Sequence, residues 1–194
     1  MSPRPKEFNP DKALDAAMKL FWRKGYEATS IQDLVEAMNI NRFSLYDTFG
    51  DKHQLYMAAC DRYRRWMDER MLSSLTEAAS GLDGLRSFFN KLEGHYSSRM
   101  GRRGCFIVNS IVERAQVDRQ IARCSQEFIC QLEAALEHCL VMAVEAKEIS
   151  PSETPHELAQ HLAGIVQGIG VVGKAFPDIN RVRTMIRFAL RIIE

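Results

Sequence analysis

Apolar residues recur at helical spacing along nearly the whole chain, and no stretch alternates as a half-buried strand does. Leu14, Ala17, Met18 and Phe21 stand at i, i+3, i+4 and i+7, so they share one face of a first helix. Arg23 and Lys24 suit its C-terminus, and Gly25 suits the position just beyond. Ile31, Leu34, Val35 and Met38 repeat the pattern in a second helix. There Thr29 or Ser30 is the cap, with Asp33 three residues after Ser30 as a near capping box. "MNIN" then breaks the period: Asn39 tolerates the left-handed conformation that ends a helix, and Asn41 caps a third, which runs to about Phe49. Gly50-Asp51 stops that helix and starts a long one reaching about Ser80. "SGLDGL" reads as the next break, with Gly81 and Gly84 flanking Asp83.

A helix to about Arg99 and a polar loop, "RMGRRG", follow. Cys105 to Ala115 is expected as a short helix and Asp118 to Lys147 as a long one. The apolar stripe of the long one is Ile121, Cys124, Phe128, Leu132, Ala135, Leu136, Cys139 and Ala143. "ISPSETP" is a proline-punctuated linker. Pro155 opens a further helix ending near Phe176, and a last helix carries Val182, Met185, Ile186, Ala189 and Ile193 on one face. The expected fold is all-α, with about nine helices: three in the first fifty residues, then a longer bundle. The division falls at 1–52 and 53–194.

The third helix, "NRFSLYDTF", has few core residues. Leu45 and Phe49 stand four apart and pack inward, leaving Arg42, Phe43, Ser44 and Tyr46 on other faces. A helix, a tight turn and a second helix within roughly twenty residues make a helix-turn-helix, whose second helix enters the DNA major groove. In that geometry Arg42 donates to a guanine edge or a phosphate, Ser44 bonds to either, and Phe43 touches a thymine methyl. Tyr46 presents a hydroxyl on a rigid lever. Thr29 or Ser30 at a helix N-terminus holds a phosphate, and Lys52 adds positive charge beside the groove. Together with Asn41 these residues form the expected DNA-binding set.

Charge changes this picture only by making it local. The 194 residues carry a net charge of +1, so attraction to DNA rests on a patch rather than on bulk charge. The leading residues, "MSPRPKEFNPDKAL", lack the apolar core of a signal peptide, and "LAGIVQGIGVVG" is too short to span a bilayer. A cytoplasmic protein with no membrane association is therefore expected. Five cysteines without a CxxC pair point to reduced thiols.

"LFWRKGYEATSI" and "LYDTFGDKHQL", the latter in the pattern Leu-Tyr-x-x-Phe-x-x-Lys-x-x-Leu, resemble the DNA-binding domain of TetR/AcrR-type transcriptional repressors. The resemblance covers about residues 10 to 63. Asn39 departs from it, standing where the family most often has Gly. The resemblance implies a homodimer that binds a palindromic double-stranded DNA operator and is released by a small-molecule or electrophile inducer. It also implies that the long helix from Asp51 links the two domains and that the last two helices form the dimer interface. "LAGIVQGIGVVG" suits that role on its own chemistry, because Gly164 and Gly168 leave a groove flanked by Ile165, Ile169 and Val172. Met185, Ile186 and Ala189 complete the expected interface.

For the sensor, Cys105 follows "GRRG" and opens a helix, where the N-terminus and Arg102 and Arg103 favour a thiolate. "RRGCFIVNSIVE" also resembles a Gly-Cys-Leu-x-x-Asn segment in a branch of the family that includes electrophile-responsive regulators, and Lys174 is the expected support for the thiolate. The rival is an apolar ligand pocket lined by Trp66, Phe88, Phe89, Tyr96, Phe106, Phe128 and Met142, with Asn109 and Gln167 as polar groups. No cofactor is expected. Two other classes fit less well. There is no phosphate loop or nucleophile elbow, so an all-α enzyme is disfavoured. A metal-responsive regulator would need a cluster such as His138 and Cys139 with a distant partner.

Overall fold

The computed structural model describes residues 8–193, so residues 1–7, half of the leader read above, lie outside it. Among the described residues there are nine helices and no strand. α1 is Pro10–Lys24, α2 Ile31–Met38 and α3 Arg42–Phe49. α4 is one rod made of Lys52–Met67, a π-helical turn at Asp68–Leu72, and Ser73–Thr76. α5 is Gly81–Ser97, α6 Phe106–Arg114, α7 Arg119–Glu145, α8 Pro155–Ala175 and α9 Ile179–Ile193. No helix is long and apolar enough to cross a membrane.

The local signals were followed closely at the chain's first turns. Asn9 caps α1, and Gly25 ends it at φ 84°, where a side chain would be strained. Ser30 and Asp33 form the reciprocal capping box of α2, and Asn39 closes α2 in the left-handed conformation at φ 52°. Asn41 accepts from the backbone N–H of Ser44 at 2.8 Å and so starts α3.

Two expectations fail further on. The long helix does not run smoothly to Ser80: it takes a π turn and ends at Thr76. Gly81 and Gly84 are not a break either, because they lie inside α5, which Ser80 caps. Their reason is close approach. A Cβ on Gly81 would stand 2.2 Å from the Cys139 carbonyl oxygen, and one on Gly84 would stand 2.8 Å from the Cys139 sulfur.

One continuous core joins all nine helices. α1 lies against the first half of α4, while α5, α7, α8 and α9 form the far bundle. Trp22 of α1 bridges the two parts. Its ring packs edge-on to Tyr63 at 5.0 Å, and its indole N–H donates to the Gly104 carbonyl at 3.0 Å.

Candidate nucleic-acid interface and sensor cavities

α3 is held to the protein by a narrow strip. Leu45 is fully buried and Phe49 partly so, while Phe43 is 79% exposed and Tyr46 46% exposed. Arg42 is exposed and Ser44 half-buried beside it. A phenyl ring in water on an eight-residue helix has no folding role to explain it. Lys52, at the start of α4, holds its ammonium 4.3 Å from the Tyr26 ring centroid.

The structure removes Thr29 from the expected contact set. Its side chain has no exposed surface, and its hydroxyl donates to the Gly25 carbonyl at 2.6 Å. Ser30 is exposed, but the N-terminus of α2 already has an anion: the Ser30 N–H donates to Asp33 at 2.8 Å. That N–H, with Lys24 at 2.9 Å and the Ser30 hydroxyl, holds the Asp33 carboxyl well below the usual carboxylate range.

Where the helix-turn-helix meets the bundle, α6 grips the turn after α1. Both carboxylate oxygens of Glu113 accept backbone N–H groups, from Tyr26 and from Glu27, each at 2.9 Å. Arg114 pairs with Glu27, lies 3.7 Å from Asp118, and stacks over Tyr26 at 4.8 Å. His53 of α4 meets Asp118 at 2.7 Å. Beside this latch opens a cavity of about 620 Å³ between α1, α6 and α8. Phe21, Trp22, Tyr56 and Phe106 give it aromatic walls, and Lys24, Asn109, Glu113 and Lys174 give it polar groups. Lys174 donates to Asn109 at 3.0 Å. Three of the expected sensor residues, Phe106, Asn109 and Lys174, therefore come together here.

A second group gathers inside the bundle. Phe88, Tyr96, Cys105 and Phe128 line a closed slot of about 20 Å³, room for about one water. Tyr63, His95 and Gln167 also line it, and two polar atoms are orphaned there: His95 Nε2 and Gln167 Nε2 are buried without hydrogen-bond partners. Phe89 packs on Phe88 at 5.3 Å without lining the slot, and Trp66 joins the Trp22 aromatic cluster. Neither lines the junction cavity or the slot. Tyr63 and His95 escape a sequence reading because each is one residue on an ordinary helix face.

Cys105 is not the thiolate expected. Burial pushes its thiol up, more than the Tyr63 hydroxyl at 3.5 Å and the N–H groups of Val108 and Ile107 pull it down. Arg102 is exposed and Arg103 reaches toward the Lys19 carbonyl, so neither guanidinium faces the sulfur. Lys174 spends its ammonium on Asn109 in the other cavity. Cys139, offered above as a metal ligand with His138, is buried and donates its S–H to the Leu75 carbonyl at 3.0 Å.

The expected interface on α8 and α9 is partly turned inward. Ile169, Ile186 and Ala189 are buried in the chain's own core, because α9 packs on α5 and α8 with that face. Gly164 is exposed, and Ile165, Gly168, Val172 and Met185 are half-exposed. Val171 (54%), Phe188 (51%) and Ile192 (42%) extend this outer apolar surface, though the sequence pattern did not single them out.

Known proteins share this architecture. Residues 13–59 match a family model described as "Bacterial regulatory proteins, tetR family", and residues 81–189 match "Tetracyclin repressor-like, C-terminal domain". The HTH-type transcriptional repressor ComR of Escherichia coli (strain K12) is 32% identical over 190 residues, covering 97% of this chain and 90% of ComR. The HTH-type transcriptional regulator YezE of Bacillus subtilis (strain 168) is 29% identical over 192 residues, covering 98% and 99%. Among solved structures, a cysteine mutant of the TetR family transcriptional regulator CifR complexed with a 26 bp double-strand operator DNA superposes with a TM-score of 0.86. It is 26% identical, with 98% of this chain and 100% of that chain covered. The reduced form of E. coli NemR, 17% identical with a TM-score of 0.84 and coverage of 95% and 97%, shares the fold.

Proposed function

The chain belongs to the TetR family of bacterial regulatory proteins, and from that premise we propose that it is a homodimeric repressor of transcription. It grips a palindromic operator with two copies of α3 and releases it when a small molecule fills the cavity beside the Glu113 latch. It is a regulator and not an enzyme, and it works in the cytoplasm, where its operator is. Residues 1–52 serve as the reading unit and 53–194 as the sensing and dimerising unit, with α4 as the rod between them.

The observation that carries this reading is the surface of α3. One fully buried residue anchors the helix, and Arg42, Phe43 and Tyr46 stand free of the protein. Arg42 and Tyr46 suit phosphate or base-edge contacts, Phe43 suits a thymine methyl, and Ser44, Ser30 and Lys52 add polar contacts at the margins. A single short helix spans few base pairs, so two are needed, separated by about 34–36 Å to meet adjacent turns of one groove. The exposed side of α8 and α9, from Gly164 and Gly168 to Val171 and Phe188, is the surface that pairs the two copies.

The junction cavity is favoured for the inducer over the inner slot on size. At about 620 Å³ it is open to a small molecule as it stands, whereas the slot admits one only by moving its walls. Its occupant touches α1 and α6 together, across the hydrogen bonds that hold the reading unit in place. A ligand that favours a different α1–α6 separation changes the spacing of the two α3 helices, and with it operator affinity. Aromatic walls with Lys174 and Lys24 suit a molecule with an apolar body and one acceptor or anionic group.

The test is fluorescence anisotropy on DNA from the region upstream of the protein's own gene, with salt titrated. Log affinity should fall linearly with log salt, and Arg42→Ala should weaken binding and lower the slope by about 1 if the contact is to phosphate. Binding that ignores both salt and Arg42 would rule out this use of α3.

A further inference from the structure

The cavity beside the Glu113 latch carries an excess of positive charge. Arg23, Lys24 and Lys174 line it against one carboxylate, Glu113. Asp33 neutralises Lys24 at 2.9 Å, and both Glu113 oxygens are taken by the Tyr26 and Glu27 amides. Lys174 has no carboxylate at ion-pair distance among the described residues; its ammonium meets the neutral Asn109 side chain at 3.0 Å. That bond uses one of three N–H groups and leaves two for a ligand. Arg23, exposed at the end of α1, also has no ion-pair partner among the described residues.

Resting on the inducer site proposed above, we propose that its ligand is an aryl carboxylate, with the carboxylate on the Lys174 ammonium and the ring against Trp22 and Phe106. The two ends of such a molecule have adjacent partners. Phe106 and Asn109 stand three apart on α6 and share a face, so the ammonium held by Asn109 sits beside the Phe106 side of the cavity. Val112, 81% exposed, lines the same cavity, and an apolar ring covers it.

Charge decides between this class and its opposite. Four aromatic walls could equally face a cationic amphiphile. Such a molecule would meet Arg23 and Lys174 and find the Glu113 carboxylate already engaged. A wholly polar anion would satisfy the cations but leave the aromatic walls in water.

The same ammonium has a route to α1. Asn109 also donates to the Arg103 carbonyl at 3.1 Å, and the next carbonyl, Gly104, takes the Trp22 indole at 3.0 Å. A carboxylate that draws on Lys174 therefore acts on the loop to which α1 is tied.

The test titrates three probes of one shape into the full-length protein by calorimetry: naphthoate, naphthamide and naphthylmethylammonium. Lys174 is exposed, so water screens its charge. Naphthoate should bind about three- to tenfold tighter than naphthamide at low ionic strength, and the ratio should shrink as salt is added. The ammonium probe should bind weakest. Lys174→Met should bring naphthoate down to naphthamide while naphthamide stays within twofold, and Lys174→Arg should keep the preference. The Trp22 indole N–H resonance should move when naphthoate binds, more than that of Trp66, which does not line the cavity; Trp66→Phe assigns the two. In wild type alone, a naphthoate-to-naphthamide ratio within twofold, tighter binding of the ammonium probe, or no saturable binding of naphthoate overturns the proposal. An unmoved Trp22 resonance, or a preference that survives Lys174→Met, overturns the placement on Lys174. Naphthoate that binds as described and leaves operator affinity within twofold refutes the inducer reading and leaves the carboxylate site standing.

Discussion

Glu113→Ala removes both acceptors that hold the turn after α1 to α6. Wild-type Glu113 takes the N–H groups of Tyr26 and Glu27 at 2.9 Å each, the geometry of a carboxylate clamping two adjacent amides. A buried pair of charge-assisted bonds would contribute about 3–6 kcal/mol, but Glu113 is exposed and water replaces what it leaves. About 0.5–1 kcal/mol per bond is the appropriate scale, or about 1–2 kcal/mol per protomer. If the latched pose is the one that fits the operator, that energy is lost from the bound state, and affinity falls by at most about 5–30-fold per protomer. Trp22 on Gly104 and Arg62 on Asp15 remain, so the reading unit stays attached and the far-ultraviolet dichroism should not change. Anisotropy titrations at fixed salt would compare Glu113→Ala with Val112→Ala, a neighbour that is 81% exposed. Affinity of Glu113→Ala within twofold of wild type would mean that the latch does not set the pose of α3, and the coupling route through α6 would have to be abandoned.

Three further outcomes are expected. Burial, aided by the Arg70 guanidinium, lowers His95 to about 4, below its ordinary 6.5. The unfolded chain therefore binds a proton between those values that the folded chain refuses. Stability should rise with pH across about 4 to 6.5, by about 3 kcal/mol in all, and His95→Gln should flatten that stretch of a urea-unfolding series. Gln167→Leu removes an orphaned buried amide at nearly constant volume and should raise the melting temperature by about 2–4 °C per kcal/mol gained; a lower melting temperature would show that the amide has a partner. Phe188→Arg should shift the protein toward monomer in sedimentation velocity, and an unchanged dimer would place the interface elsewhere.

The first fifty residues were the most legible part of the chain. Ser30 with Asp33, Asn39 and Asn41 are local devices: each acts on backbone groups within four residues, so spacing alone predicts them. The exposure of Arg42, Phe43 and Tyr46 was equally plain, because Leu45 and Phe49 account for the inner strip of α3. Thr29 was misplaced for the opposite reason, since its burial comes from the surrounding helices. The cavities were half legible. Phe88, Tyr96, Cys105 and Phe128 do meet, but Asn109, Phe106 and Lys174 serve a different opening.

Helical period by itself determined that this is an all-α chain of about nine helices with a helix-turn-helix near its start, because caps and amphipathic faces are written within a few residues. Tertiary structure alone decided what each face meets. It put Gly81 inside α5 against the backbone of α7 and Gly84 against the Cys139 sulfur, and it turned Ile169 and Ile186 inward and Phe188 outward. It also buried Cys105 and sent the Arg103 guanidinium toward the Lys19 carbonyl instead of the sulfur. Periodicity marks a side as apolar but carries no information about its neighbour. Burial, close approach and the charge state of a thiol all depend on that neighbour, which comes from residues far along the chain.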